Sequence, residues 1–109
     1  MSWNVFYTSE ARQDLKDILE YISYHLEAPG TAKRLVRQVA DEIARLEFMP
    51  LRYRLYDDEP WHSQGVRFFS VKNYLVFYYP VEERCAVYVM RVIYGGSDVS
   101  KQLNEIIEF

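Results

Sequence analysis

VMRVIYGGSDVSKQL, residues 89–103, puts an arginine inside a β-branched run, a tyrosine where the run stops, two glycines, and then a polar opening to an amphipathic segment. β-branched and aromatic residues suit a strand. Glycines suit a tight reversal with positive φ and a close backbone approach, and Ser97 or Asp98 suits a helix cap. The stretch therefore reads as a strand leaving a sheet, a turn, and a short terminal helix with Val99, Leu103, Ile106 and Ile107 on one stripe. The arginine and the tyrosine raise the question of whether residues 91–98 line a site or only turn the chain.

Working back from that strand, residues 86–93, 74–79 and 66–71 are three strand-like runs. The segments between them, Lys72-Asn73 and residues 81–84, are short enough for hairpin turns, so the three should form an antiparallel meander. Cys85, among Ala86, Val87 and Val89, reads as a small buried hydrophobe. Before the meander, residues 49–64 are polar and aromatic with Asp57, Asp58, Glu59 and Pro60 in a row, which reads as an ordered loop.

The first half has a different period. Trp3, Val5 and Tyr7 alternate with Asn4, Phe6 and Thr8 in a first strand, and Ser9 is placed to cap a helix. Ala11, Leu15, Ile18, Ile22 and Leu26 recur at helical spacing over residues 10–27, and Ala28-Pro29-Gly30 ends that helix. A second helix carries Ala32, Leu35, Val39, Ile43 and Leu46 on one stripe and closes at Pro50. Two helices joined by so short a break lie antiparallel, and their shared apolar face needs a sheet to cover. The order is β-α-α-β-β-β-α, an α+β fold with a helix hairpin packed on a twisted antiparallel sheet, and 109 residues make one domain, 1–109.

Half the residues are hydrophobic and 17% aromatic, enough buried surface to offset the entropy of ordering, so disorder is excluded. The opening MSWNVFYTSEARQDL lacks a basic start followed by an apolar run, so neither a signal peptide nor a membrane contact is expected, and the cytoplasm is the expected compartment. A net charge of −3 argues against a protein that grips nucleic acid by bulk electrostatics. Charge is not uniform, since residues 48–94 hold 6 basic and 5 acidic groups against 6 and 8 in residues 1–47. A local basic site in the middle third is compatible with that balance. Two histidines and one cysteine, widely spaced, predict no metal site, and no cofactor is expected.

Several positions, taken in order, resemble the RelE/ParE toxin superfamily of bacterial type II toxin–antitoxin modules. They are Ser9, Ala11 and Asp14-Leu15 at the start of the first helix, Tyr21-Ile22 within it, residues 46–50 after the second, Arg67, Asn73 to Tyr78, and Arg91 to Gly96 with Asp98. The resemblance implies a cognate antitoxin as partner and contact with operator DNA only through that antitoxin. It also implies one of two activities. RelE-like members cut messenger RNA on the ribosome, and ParE-like members poison DNA gyrase without nuclease residues. A third reading is a degraded homologue that only binds its antitoxin.

The sequence leans to the ribosome-dependent, metal-independent endoribonuclease, an mRNA interferase. Attack of a 2′-hydroxyl on the adjacent phosphate needs cations for the phosphorane charge and proton-transfer groups. Arg67 and Arg91, each interrupting an apolar strand, are the expected catalytic cations, because the guanidinium fork engages two phosphate oxygens. Tyr94 matches the position where the resemblance implies a residue that assists proton transfer, and it also offers a base-stacking ring. Arg52, Arg54 and Lys72 are the expected RNA-binding residues, and no residue stands out as general base. Against this, Ser97 stands where related sequences often carry arginine, and with Asp98 it reads as a helix cap. His62 reads as a solvated loop residue.

Overall fold

The structure, a computed structural model, describes residues 2–104. The elements keep the expected order: β1 (Asn4–Tyr7), α1 (Ser9–Glu20), α2 (Pro29–Ala44), β2 (Arg67–Val71), β3 (Tyr74–Val81), β4 (Ala86–Tyr94) and α3 (Val99–Asn104). Among the described residues, no helix is long and apolar enough to cross a membrane. Ile106 and Ile107, expected on the stripe of the last helix, lie outside the described residues.

The sheet has the strand order β1-β4-β3-β2. The meander is antiparallel as expected, but β1 joins β4 in parallel, from Asn4 opposite Ala86 to Tyr7 opposite Val89, so the sheet is mixed. No tight turn links these two strands, and their direction is set instead by the helices that intervene. Thr8 makes the junction. Its backbone N–H donates to the Val89 carbonyl (3.0 Å), its hydroxyl donates to the Met90 carbonyl (3.0 Å), and the same oxygen accepts from Ala11 N–H (3.1 Å). Thr8, still extended, is therefore the cap of α1, and Ser9 is its first helical residue.

α1 does not run regularly to residue 27. After Glu20 it widens into a π turn, Tyr21–His25, and Leu26 N–H reaches back to the Tyr21 carbonyl. The wider turn carries Leu26 off the expected stripe, and Tyr21, Tyr24 and Leu26 are all exposed. Pro29 then opens α2, where its missing N–H costs no hydrogen bond.

Two apolar layers flank the sheet. On the helix side Ala11, Val39, Ile43 and Leu46 meet Phe69, Val76, Tyr78 and Val89. On the other side Trp61 and Val66 of the long loop and Leu103 of α3 cover Phe77, Met90 and Ile93. Each fully buried aliphatic or aromatic side chain contributes about 1.5–3 kcal/mol. Cys85 departs from its expected role: it is half-buried at φ 47 in the β3–β4 turn, and its carbonyl accepts from Asn4 N–H.

Tyr78 ties the long loop to the core. It is fully buried, its hydroxyl donates to the Pro50 carbonyl, and its ring meets the edges of Tyr53 and Phe69. Burial pushes the pKa of the hydroxyl up, so it stays a donor. Tyr78→Phe keeps the ring and orphans the carbonyl, so urea unfolding should show a loss of about 1–3 kcal/mol. A loss below about 0.5 kcal/mol would mean that the loop is held by packing alone.

Candidate functional site at the open edge of β4

The β1–β4 pairing ends at Val89, which leaves the rest of β4 as an open edge on that side. At the same point β4 carries a bulge: Val89 pairs with Tyr78 and Arg91 with Phe77, so Met90 is the extra residue. Bulges re-aim the side chain that comes next. Here the side chain is that of Arg91, and it is received by Asp14 of α1.

The Asp14 carboxylate accepts from Arg91 Nε (2.6 Å) and Nη2 (2.9 Å) in a fork-to-fork pair, and from the backbone N–H of Val92 (2.8 Å). The remaining terminal nitrogen of Arg91, Nη1, donates to the Gln102 carbonyl of α3 (3.0 Å). The paired side chains are only 15% and 11% exposed. One carboxylate thus closes the open strand edge and fixes the arginine, and the arginine holds the last helix.

Above this pair lies a cleft of about 660 Å³ between α1, the π turn and the ends of β3 and β4, walled by Ile18, Tyr21, Leu35, Tyr74 and Tyr94, with Asp17 beside Asp14. Tyr94 is half exposed at the strand exit, its ring 5.7 Å from that of Tyr74. Burial and the neighbouring hydroxyls of Tyr94 and Tyr21 raise the pKa of Tyr74, which keeps it protonated near neutral pH. The glycine pair serves close approach and not positive φ. A side chain at Gly96 would fall 2.5 Å from the Tyr94 ring, and Gly95 N–H donates to the Asn73 carbonyl (2.8 Å). Asp98 caps α3 by accepting from Lys101 N–H (3.2 Å), and the Ser97 hydroxyl donates to the Tyr94 carbonyl while accepting from Gln102 Nε2 (2.7 Å).

The other expected site residues do not gather around this cleft. Arg67, on the opposite edge strand, donates through Nη1 to the carbonyls of Leu51 and Tyr53, and its Nε is buried without a partner. Arg52 donates to the Phe48 carbonyl and lies over the Tyr53 ring (4.7 Å), and Arg54 lies over Phe68 (4.9 Å). Both sit near the start of β2, whereas Lys72 occupies the turn at its far end with φ 55. His62 closes the loop through Nδ1 and the Tyr56 carbonyl (2.9 Å). Among the described residues, no group of three or more His, Cys, Asp or Glu could hold a metal ion.

Asp14 is among the positions that carry the resemblance, but sequence reasoning gave it no role in the site. A signal for it exists. Asp14 falls between Ala11 and Ile18 on the flank of the apolar stripe, where a carboxylate needs a cation or several N–H donors as partners. Gln102 contributes a main-chain carbonyl and carries no such signal.

Comparison with known proteins bears on the fold and the family. A search of curated protein sequences finds no significant match. Among solved structures, the chain resembles one of a chromosomal ParDE toxin–antitoxin system from P. aeruginosa, at 18% identity and TM-score 0.69, over 85% of this chain and 96% of that one. It also resembles the toxin–antitoxin complex RelBE2 from Mycobacterium tuberculosis, at 20% identity and TM-score 0.64, over 86% and 92%. A mutant of the E. coli toxin RelE in the free state is similar at 12% identity and TM-score 0.65, over 98% and 100%. At these identities the likeness establishes the fold. The family model for the ParE toxin of the type II toxin–antitoxin system parDE matches residues 5–99, nearly the whole chain. The chain belongs to the ParE toxin family within the RelE/ParE superfamily.

Proposed function

We propose that this chain is a ParE-like toxin that acts by binding DNA gyrase without nuclease chemistry, and that a cognate antitoxin keeps it silent. The observation that carries the reading is the commitment of Arg91 to Asp14. To neutralise a phosphorane, Arg91 would have to leave this largely buried carboxylate, and breaking such a pair costs on the order of 3–5 kcal/mol. A single transition-state donor supplies about 2.7–4 kcal/mol. The cost is as large as the gain, so the exchange leaves little net stabilisation.

The remaining cations do not make up the loss. Arg67 and Arg52 are taken up by loop carbonyls, Ser97 brings no positive charge to the strand exit, and beyond the mutually neutralised Arg91–Asp14 pair the cleft adds the carboxylate of Asp17 where an RNA phosphate would have to enter. The match to the ParE family model across residues 5–99 supports the same choice between the two activities. An antitoxin partner is supported by the similar structures described as a ParDE system and a RelBE2 complex.

Two measurements test the reading. The purified chain should inhibit gyrase supercoiling of relaxed plasmid and leave a translated message intact in a primer-extension map with ribosomes. Ribosome-dependent cleavage with gyrase unaffected would overturn it. Tyr94→Phe removes only the hydroxyl, so gyrase inhibition should stay within about twofold of the unaltered chain, whereas proton transfer through Tyr94 would require a fall on the order of 10²-fold.

A further inference from the structure

An irregularity in the first helix builds one wall of the cleft. In a regular helix Tyr21 and Leu26 would point about 140° apart. In the π turn Leu26 N–H bonds to the Tyr21 carbonyl five residues back, which brings both side chains to one side, and both line the cleft. The strand side supplies two more rings, Tyr74 and Tyr94, with centroids 5.7 Å apart and planes tilted by 59°. Three tyrosines thus border one space, with Ile18 and Leu35 as its aliphatic walls.

The charge of that space is set by Asp17. Of the residues that line the cleft, Arg91 is the one lysine or arginine, and Asp14 cancels it. Asp17 Oδ1 accepts from Gln13 Nε2 (2.8 Å), and among the described residues no cation pairs with its carboxylate. Arg12 and Lys16, each two residues from Asp14, project from the opposite side of α1. Lys72 and Lys101 adjoin lining residues in sequence but do not line the cleft. Glu20, which borders a second pocket together with Asp17 and Tyr21, adds another carboxylate just beyond the mouth.

We infer that the cleft receives an arginine or lysine side chain of the antitoxin, its charged head between the tyrosine rings and the Asp17 carboxylate and its stem along Ile18 and Leu35. The inference rests on the reading of the chain as a toxin that a cognate antitoxin keeps silent. The faces of aromatic rings attract cations, and an aliphatic stem that carries a charged head suits walls that are apolar inside and acidic at the rim. A phosphate or a carboxylate meets repulsion from Asp17, and a purely apolar side chain leaves that carboxylate without a partner. An anchor enclosed in this way slows dissociation, which is what silencing requires of the antitoxin.

N-acetyl-L-argininamide, titrated into the full chain and followed by the NMR shifts of the tyrosine rings, tests the site chemically. It should bind saturably in the millimolar range. N-acetyl-L-citrullinamide, which keeps the stem and loses the charge, should bind at least about fivefold more weakly. Asp17→Asn keeps the oxygen to which Gln13 donates, so it should melt with the unaltered chain and still bind argininamide at least about fivefold more weakly. Tyr94→Leu removes a half-exposed ring and should weaken binding at least about twofold. Asp41→Asn, at an exposed carboxylate of α2 outside the cleft, changes the net charge equally and should leave binding within about twofold. Equal binding of the two amides, or equal losses at Asp17 and Asp41, would overturn the inference.

Expression in cells tests the occupant. Asp17→Asn should arrest growth as the unaltered chain does, and its rescue by the product of the adjacent reading frame, taken as antitoxin, should need at least about tenfold more of that product. Unchanged rescue would overturn the antitoxin as the occupant. Loss of growth arrest would assign the cleft to the poisoned target, and would overturn it as well. An unaltered chain that fails to arrest growth would remove the toxin reading, while the amide titration would still decide whether the cleft takes a cationic side chain.

Discussion

The carboxylate of Asp14 is the constraint on which the rest of the arrangement depends. β1 is only 4 residues long and cannot cover β4 beyond Val89, so the exit of the central strand would otherwise expose its N–H groups and a largely buried guanidinium. An edge of that kind invites pairing with other chains unless something blunts it. Asp14 does so with three hydrogen bonds, two from the Arg91 side chain and one from the Val92 backbone. Through the Gln102 carbonyl the same arginine reaches α3, so one node links the first helix, the central strand and the last helix.

That node decides how Arg91 is best understood chemically. Sequence alone treats an arginine in an apolar strand as a charge seeking a ligand. In the fold its charge has already been neutralised by Asp14, and the cleft above the pair is bounded by tyrosines, aliphatic side chains and the carboxylate of Asp17. A surface of that composition suits a polypeptide better than a phosphate backbone. Three of the other expected cations are used in a comparable way: Arg67 and Arg52 brace the loop after α2, and Arg54 stacks on Phe68. Charge used for bracing is consistent with a protein that acts by presenting surfaces.

The fold was legible because its periods are clean. Trp3, Val5 and Tyr7 alternate onto the core, Val39, Ile43 and Leu46 recur at helical spacing, and short turns separate the strands of the meander. The features that were not legible depended on through-space partners. The parallel pairing of β1 with β4, the bulge at Met90 and the π turn after Glu20 each arise from how distant elements meet, which no local pattern encodes. The site fared worse than the fold for the same reason. Arg67 and Tyr94 lie on the strands expected for them, but the bulge at Met90 turns Arg91 off the face that alternation would share with Val89, and the partners that define the roles of the two arginines, Leu51, Tyr53 and Asp14, lie 14 or more residues away in sequence.

If Arg91 is a structural tie, its contribution should exist only while Asp14 is present. A double-mutant cycle of Asp14→Asn and Arg91→Gln, read by urea unfolding, measures that dependence directly. The account predicts a coupling energy of about 2–3 kcal/mol, with the double variant less destabilised than the sum of the two single ones. Additive losses, with a coupling below about 0.5 kcal/mol, would contradict it and return Arg91 to the pool of available cations.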